Sequence, residues 1–120
     1  MLEAECFAKC VSLKTVDLPN SVTVIEDKAF YRCISLESVH LSDALRRIGD
    51  RAFEECAIVS LSLPHSVSAL GDYAFANCEN LTIYCEAESQ PSGWSSSWNY
   101  CSNHSNATDY CTVEWGYDKD

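Results

Sequence analysis

The stretch Ile48-Gly49-Asp50-Arg51-Ala52-Phe53-Glu54-Glu55-Cys56 decides the fold, because its pattern returns at a regular interval. The pattern recurs at 25–33 and 70–78, and in a less regular form at 2–10. The cysteines that close the four copies are separated by 23, 23 and 22 residues. A fixed period of this size is typical of a solenoid, in which each unit buries its apolar face only against its neighbours. The sequence therefore predicts a stacked repeat array.

A short segment of alternating apolar and polar residues follows each of the first three of these cysteines. The apolar members are Val16 and Leu18, Val39 and Leu41, and Leu61 and Leu63. Alternation with a period of two is typical of a strand with one buried face. Because Pro19 and Pro64 have no N–H group to donate, each ladder is expected to end at or before them. Stacked at one period, these strands predict a narrow parallel sheet.

An aspartate stands two residues before the alanine of the Ala-Phe pair in each complete copy. These residues are Asp27, Asp50 and Asp72. An aspartate in this place is expected to accept N–H groups of the next residues and to cap a single helical turn that directs the phenylalanine inward. Gly49 and Gly71 do not indicate an obligatory left-handed backbone, because Glu26 occupies the equivalent place. The predicted core contains Ala29, Ala52, Ala74, Phe30, Phe53, Phe75, the repeat cysteines and the branched aliphatic residues.

The eight cysteines of the chain are interpreted mainly as core residues. Four of them, Cys10, Cys33, Cys56 and Cys78, share one place in the repeat, three residues after a phenylalanine, where a small apolar residue suits stacked units. No Cys-x-x-Cys pair occurs, whereas structural zinc favours closely spaced ligand pairs. The sequence therefore predicts inert buried thiols, no metal site and no cofactor. Cys101 and Cys111 lie outside the repeat, and a disulfide between them stays open.

The charge of the chain is strongly negative and unevenly distributed. The formal net charge is −10; residues 1–51 carry eight acidic and seven basic residues, whereas 52–120 carry ten acidic residues and only Lys119. Nucleic acid is not an expected partner, because phosphate binding needs clustered Lys and Arg. An anionic membrane surface is disfavoured for the same reason. No apolar run approaches the ~18 residues of a membrane span, and no signal peptide is evident in this chain.

The outward positions of the predicted sheet form two columns and are the candidate protein-binding residues. One column contains Thr15, Ser38, Ser60 and Thr82, and the next contains Asp17, His40, Ser62 and Tyr84. The competing interpretation is an ordinary solvated sheet. Four strands about 4.8 Å apart span only roughly 15 Å, so the sheet offers much less than the ~800 Å² per partner of a standard interface. These columns are expected to supply part of a binding surface.

A catalytic interpretation of Ser38, His40 and Asp17 is not favoured. Neighbouring residues on a flat sheet provide no nucleophile elbow, oxyanion hole or pocket. The sequence predicts a protein that is not an enzyme and that has no catalytic residues.

The period ends near residue 85, and the remaining segment is rich in serine, asparagine and aromatic residues. We interpret 86–120 as a C-terminal cap, with Trp94 and Trp98 packed on the last repeat and an added strand at 112–115, because bulky aromatic residues cover the most area of an open solenoid end. The alternative is a glycan site formed by Trp94, Trp98 and Tyr100 with nearby Asn and Ser.

The consensus Pro-x-Ser-Val-x-x-Ile-Gly-x-x-Ala-Phe-x-x-Cys-x-x-Leu-x-x-Val-x-Leu resembles the repeat of the BspA-like leucine-rich repeat family. The resemblance covers residues 1 to about 85. It implies a β-rich repeat solenoid, a right-handed leucine-rich-repeat superhelix with a short parallel sheet on the concave side and short helical or 3-10 turns on the convex side. The sequence departs from the consensus at Ser42, where a proline is expected, and by a one-residue deletion near Cys56.

The resemblance also implies a function. Similar proteins are bacterial surface or secreted proteins that act in adhesion by binding host proteins or other cells, and they are not enzymes. The first hypothesis is therefore a non-enzymatic protein-interaction module of a cell-surface or secreted protein, with other proteins as partners. The alternative is a structural spacer whose aromatic cap binds a glycan.

The repeat boundaries predict how the chain is divided. We expect units at 1–18, 19–41, 42–63 and 64–85. Met1 lies inside a repeat, so the first unit lacks its opening half and the chain is expected to be the C-terminal piece of a longer array. A solenoid end without its polar cover exposes apolar surface, so self-association through the N-terminal end is a third hypothesis.

Overall fold

The structure is a computed structural model that describes residues 7–78, 81–95, 97–98 and 112–116. It contains only strands and turns in this part of the chain, and no helix. The strands are β1 (Thr15–Asp17), β2 (Val24–Ile25), β3 (Ser38–His40), β4 (Arg47–Ile48), β5 (Ser60–Leu63), β6 (Ala69–Leu70), β7 (Thr82–Cys85) and β8 (Thr112–Glu114). Every pairing between them is parallel. The chain is a β-solenoid, as the repeat period predicted.

The strands form two rows that run along the stack. The first strand row contains β1, β3, β5, β7 and β8, and it is the row predicted from the alternating segments. The second strand row contains β2, β4 and β6, which were not predicted as strands. The second row is continuous, whereas the first is divided into β1-β3 and β5-β7-β8 because β3 is not paired with β5.

The division of the first strand row follows from the one-residue deletion. In the second repeat Leu36 comes three residues after its cysteine, but in the third repeat Ile58 comes two residues after Cys56. The N–H group of Ala57, which precedes Ile58, donates to the carbonyl of Leu36 at 2.9 Å. The chain therefore enters β5 one residue early relative to β3.

The preceding pair of repeats shows the arrangement without the deletion. There the N–H group of Glu37, which follows Leu36, donates to the carbonyl of Lys14 at 2.9 Å. From this start the ladder continues, with Thr15 paired to Ser38 and Asp17 paired to His40. The deletion therefore accounts for the absence of the same ladder one repeat later.

The phenylalanines lie in the core, as predicted, and their rings stack face to face along it. The ring centroids of Phe7 and Phe30 are 5.3 Å apart, those of Phe30 and Phe53 5.1 Å, and those of Phe53 and Phe75 5.6 Å, with interplanar angles of 5 to 8°. Phe30, Phe53 and Phe75 are fully buried. Aromatic pairs contribute about 0.5–1.5 kcal/mol beyond the area that they bury, so the column is a main source of contact between successive repeats.

The predicted helical turns on the convex side are wrong for the described residues. Hydrogen-bonded turns stand in their place, because two residues of each turn have a left-handed backbone that interrupts a right-handed helix. The first directly follows the aspartate and the second comes two residues after the phenylalanine: Lys28 (φ 58°), Arg51 (φ 56°) and Tyr73 (φ 55°), then Arg32 (φ 59°), Glu55 (φ 60°) and Asn77 (φ 62°).

The aspartates bind the next repeat and do not cap their own turn, which corrects the sequence prediction. The N–H group of Asp50 donates to Asp27 Oδ1 at 2.8 Å, and that of Asp72 donates to Asp50 Oδ1 at 2.8 Å. After the last copy, the hydroxyl of Ser95 donates to Asp72 Oδ1. Aspartate therefore forms a column of hydrogen bonds along the stack.

Gly49 and Gly71 are required by this column. A Cβ atom at Gly71 would lie 2.5 Å from the main-chain nitrogen of Asp50, and one at Gly49 would lie 2.6 Å from that of Asp27. Neither glycine has a positive φ, in agreement with the sequence interpretation. Glycine is used here because the neighbouring main chain approaches closely.

The cysteines form a third column. The thiol of Cys33 donates to the carbonyl of Phe7 at 3.0 Å, that of Cys56 to the carbonyl of Phe30 at 3.2 Å, and that of Cys78 to the carbonyl of Phe53 at 3.0 Å. The three thiols are buried, as predicted, and Cys10 is half-buried. Each thiol therefore satisfies a carbonyl of the preceding repeat while it packs as a small apolar group.

Tryptophans follow the phenylalanine column beyond the last repeat. Trp98 contacts Phe75 edge to face, with centroids 6.4 Å apart, and Trp94 contacts Trp98 at 4.7 Å. Their indole N–H groups donate to Gln90 Oε1 at 3.0 Å and to the carbonyl of Val67 at 3.2 Å, respectively. Both tryptophans pack on the last repeat, as predicted, and the added strand, β8, forms but ends at Glu114, one residue earlier than predicted. A C-terminal cap at 86–120, like the unit boundaries, stays a prediction.

Candidate protein-binding surface

The eight predicted surface residues lie in the two expected columns, but in two blocks. In the first block Thr15 is paired with Ser38 and Asp17 with His40. In the second block Ser60 is paired with Thr82 and Ser62 with Tyr84. Thr82 and Tyr84 are half-buried, and the other six residues are exposed. The interruption between β3 and β5 separates the two blocks.

The columns face outward because the residue between their members belongs to the core. The inward residues are Val16, Val39, Leu61, Ile83 and Val113. Successive side chains of a strand point to opposite faces, so burial of these residues directs their polar neighbours to solvent. The outward surface of the first strand row is therefore polar and is fixed to a rigid stack.

β8 adds residues that the sequence analysis did not include in the columns. Thr112 pairs with Thr82, and Glu114 pairs with Tyr84. The signal was present in the Thr-Val-Glu alternation, which predicted the strand but not its register. Both added residues are exposed. The second column therefore begins and ends with a carboxylate, at Asp17 and Glu114.

A cleft opens where β3 and β5 are not paired. Its volume is about 160 Å³, and its walls include His40 from β3 and Ser60 and Ser62 from β5. Two acidic residues, Asp43 and Glu86, line the same cleft. No lysine or arginine is among the described residues that line it. The centre of the candidate surface is thus a small acidic cavity rather than a flat sheet.

The carboxylate of Glu86 is held in place at the edge of this cleft. The N–H group of His65 donates to Glu86 Oε1 at 2.9 Å. In the sequence Glu86 stands in the segment after the repeats, so its contribution to the surface was not predicted. No signal in the sequence connects it with β3, because the connection depends on how the third and fourth repeats stack.

The buried thiols are poor nucleophiles. Burial raises the pKa of Cys78 to about 12 and that of Cys85 to about 12, and it also raises the pKa of Cys56. The thiolate is the reactive form of cysteine, so these groups remain protonated near neutral pH. The predicted burial is confirmed for Cys33, Cys56 and Cys78, and their lack of reactivity stays a prediction. Cys6, Cys101 and Cys111 lie outside the described residues.

The predicted glycan site is not accessible at its two tryptophans. Trp94 is 6% exposed and Trp98 is 1% exposed, and a sugar ring needs a free aromatic face for stacking. Tyr100 lies outside the described residues. Trp115, which packs against both indoles, is 38% exposed. Trp94 and Trp98 are thus core residues.

Over the ranges that the structure describes, no group of three or more His, Cys, Asp or Glu side chains is arranged to hold a metal ion. In the same ranges, no helix has the length and apolar character to cross a membrane.

The chain is similar to known leucine-rich repeat proteins in sequence and in structure. The sequence model of the BspA type leucine rich repeat region matches residues 1–110, with six copies. A leucine rich cell surface protein from Faecalibacterium prausnitzii is similar over 72% of this chain and 23% of its own, with 39% identity and a TM-score of 0.69. A leucine-rich repeat protein from Bacteroides ovatus is similar over 75% of this chain and 24% of its own, with 30% identity and a TM-score of 0.66.

A third structure is similar over most of this chain. The leucine rich repeat protein of T. pallidum matches 97% of this chain and 62% of its own, with 26% identity and a TM-score of 0.57. The chain thus spans about a quarter of the length of the first two relatives and less than two thirds of the third. Among curated proteins none matches the chain.

Proposed function

The chain belongs to the BspA-type leucine-rich repeat family, and we propose that it is a non-enzymatic protein-interaction module whose first strand row contacts other proteins. One observation carries this proposal, namely that two columns of polar side chains face outward from a stack whose core is continuous. A rigid scaffold that presents adaptable polar groups is suited to recognition, because little conformational entropy is lost on binding.

The size of the surface supports a partial interface. Five strands about 4.8 Å apart span roughly 19 Å, and at about 3.3 Å per residue each strand is roughly 10 Å long, so the sheet offers on the order of 200 Å². This area is well below the ~800 Å² per partner of a standard interface. The chain matches only about a quarter of two longer relatives. The outward surface of these strands would therefore supply only part of a standard interface.

We propose a location at the cell surface or outside the cell. The support is a relative from F. prausnitzii that is described as a cell surface protein. The acidic character of the chain is consistent with a role in binding proteins rather than nucleic acid. The right-handed superhelix, the repeat units ending at residue 85 and the cap at 86–120 belong to the same proposal.

A four-site variant tests the proposed function. Asp17, His40, Ser62 and Tyr84 are changed together to alanine, and the matched control changes Asn20, Thr23, Glu26 and Ser68 to alanine. Each variant replaces one carboxylate side chain and three uncharged side chains by alanine, but the control leaves the first strand row unchanged. The wild-type chain is first screened against an array of purified secreted and cell-surface proteins.

The affinity of each bound protein is then measured for both variants. We expect the first variant to bind at least about tenfold more weakly, which corresponds to about 1.4 kcal/mol, and the control to bind as the wild type does. Equal binding by the two variants, with unchanged thermal unfolding, would show that the columns are not the binding surface.

A further inference from the structure

The cleft between β3 and β5 has polar main-chain groups along one wall in addition to side chains. The carbonyls of Val59 and Leu63 accept N–H groups of Thr82 and Glu86, on the β7 side. Main-chain groups of successive strand residues point to opposite sides. The N–H and C=O groups of Ser60 and Ser62 therefore point toward β3, where no ladder receives them.

We propose that this cleft binds the side chain of an arginine from a partner protein. The inference rests on the proposed function and identifies the chemistry of its contact point. It commits to a single side chain because the cleft, at about 160 Å³, is smaller than the ~300 Å³ at which ligand pockets for drug-sized molecules begin. β3 and β5 remain in contact, so a partner strand does not fit between them.

The charge of the cleft selects a cation. Asp43 and Glu86 line it, no described lining residue is Lys or Arg, and the chain as a whole carries −10. An anionic group would meet repulsion from both carboxylates, although main-chain N–H groups are present. A cationic group gains charge-assisted hydrogen bonds, which are about twice as strong as neutral ones.

The arrangement of acceptors favours guanidinium over ammonium. Ser60 and Ser62 of β5 line the cleft together with Asp43 and Glu86, and the main-chain carbonyls of the two serines point toward it by the alternation of the strand. A guanidinium group has five N–H donors in a planar fork and reaches several acceptors at once, whereas the lysine ammonium is a compact and strongly hydrated charge. Arginine is also enriched at the energetic centres of protein interfaces.

The experiment uses the full chain labelled with ¹⁵N and three capped peptides as probes. The peptides are Gly-Arg-Gly, Gly-Lys-Gly and the citrulline analogue of the first, which keeps the shape of arginine without its charge. We expect the arginine peptide to shift the amide signals of Leu41, Ser60 and Ser62, and the lysine peptide to bind more weakly. The citrulline peptide should leave these signals unchanged.

Matched double variants separate the cleft from the general charge. Asp43→Asn with Glu86→Gln removes both cleft carboxylates, and Gln retains an acceptor for the His65 N–H group. Glu26→Gln with Glu37→Gln removes two carboxylates that do not line the cleft. The first pair is expected to weaken arginine binding about tenfold and the second pair to have little effect, because charge-assisted hydrogen bonds need direct contact.

Several results would overturn the inference. In the first, the arginine peptide leaves the amide signals of the cleft unshifted; in the second, the citrulline peptide binds as tightly as the arginine peptide; in the third, the two double variants lose the same affinity. Any one of these results contradicts the inference. If the lysine peptide binds as tightly as the arginine peptide, the assignment to a guanidinium group is wrong. If a partner protein binds through the columns but the arginine peptide does not bind the cleft, only the arginine inference is refuted. Arginine binding in the cleft without any column-dependent partner would instead count against the proposed function.

Discussion

The side-chain columns of the core and the main-chain ladder of the first strand row respond differently to the same deletion. Phenylalanine, aspartate and cysteine stack from the second repeat through the fourth, although one interval is 23 residues and the next is 22. The ladder between β3 and β5 is lost over the same interval. The difference shows that the side-chain columns still form when a residue is missing from the segment between them. The effect of the deletion is confined to the nearest strand, which loses its main-chain pairing.

The reason lies in where the deletion falls. Cys56 and the residues before it keep their places, so the columns form as in the other repeats. Ile58 follows one residue too early. The N–H group of Ala57 donates to the carbonyl of Leu36, whereas in the preceding pair of repeats Glu37 donates to the carbonyl of Lys14. In the fourth repeat the β5-β7 ladder is formed again over four residue pairs.

Truncation of the central phenylalanine should cause the largest loss of stability. Phe53→Ala is expected to reduce the free energy of unfolding by about 3–5 kcal/mol, because the ring is fully buried between two others. Phe7→Ala is the control, since Phe7 is 39% exposed and stacks on one ring among the described residues. Urea unfolding measures both, and a loss at position 7 as large as at 53 would contradict continuous stacking.

The aspartate column is tested at Gly71. Gly71→Ala should cost about 1–3 kcal/mol, because its new methyl group would overlap the main chain of Asp50. Glu26→Ala, at the equivalent place of an earlier repeat, removes only an exposed ion pair with Arg47 at 3.4 Å and should cost at most about 1 kcal/mol. If thermal unfolding shows equal effects, the close approach at Gly71 is not what requires glycine.

Because its thiols are buried, the protein is expected to lose stability at alkaline pH. Burial raises the pKa of Cys85 to about 12, above the ~8.5 of an unfolded cysteine. Above ~8.5 the unfolded chain releases this proton while the folded chain keeps it, so the contribution of Cys85 to stability is full at lower pH and declines as the pH rises toward 12.

The matched variant for this prediction is Cys85→Val. Between about pH 8 and pH 10, its unfolding free energy should fall by about 2 kcal/mol less than that of the wild type, because one titrating thiol is absent. Denaturant unfolding at the two pH values gives the difference. Parallel pH profiles for the two proteins would show that Cys85 ionises equally in the folded and unfolded chain.

Restoring the missing residue should repair the ladder with a small effect on stability. Insertion of one serine between Ala57 and Ile58 returns the spacing of the other repeats, so β3 and β5 are expected to pair and the cleft to close. Each new hydrogen bond contributes about 0.5–1.5 kcal/mol, and part of this gain is offset by the ordering of the added residue.

The readout is amide exchange as well as unfolding. The amides of Ser60 and Ser62 should become protected in the inserted protein, while the phenylalanine column is unchanged. An inserted protein with the same exchange rates as the wild type would show that the deletion does not cause the gap.

Much of the core could be predicted from the sequence, because each column repeats one residue type at one interval. Phe53, Cys56 and the inward residues of the strands were placed correctly on this basis. The second strand row was missed because strands of two residues, such as Val24–Ile25, are too short to show alternation. The left-handed residues were missed because Lys28 and Arg51 are not residue types that signal such a backbone.

The surface was less predictable than the core. The columns through Asp17 and Tyr84 follow from alternation, but the cleft between them does not. The deletion near Cys56 was visible in the sequence, whereas its outcome depends on whether a bulge, a shifted register or an open ladder absorbs it. Glu86 shows the same limit, since a residue after the last repeat reaches β5 only through the stacking of two units.

Amide hydrogen exchange at Ser62 and Tyr84 tests the gap most directly. The two residues share a column, and the N–H group of each points toward the preceding strand, but only β7 has a paired neighbour on that side. We expect Ser62 to exchange at least about tenfold faster than Tyr84 in the native protein. Equal protection of the two amides would mean that β3 and β5 are joined, and that the cleft does not exist.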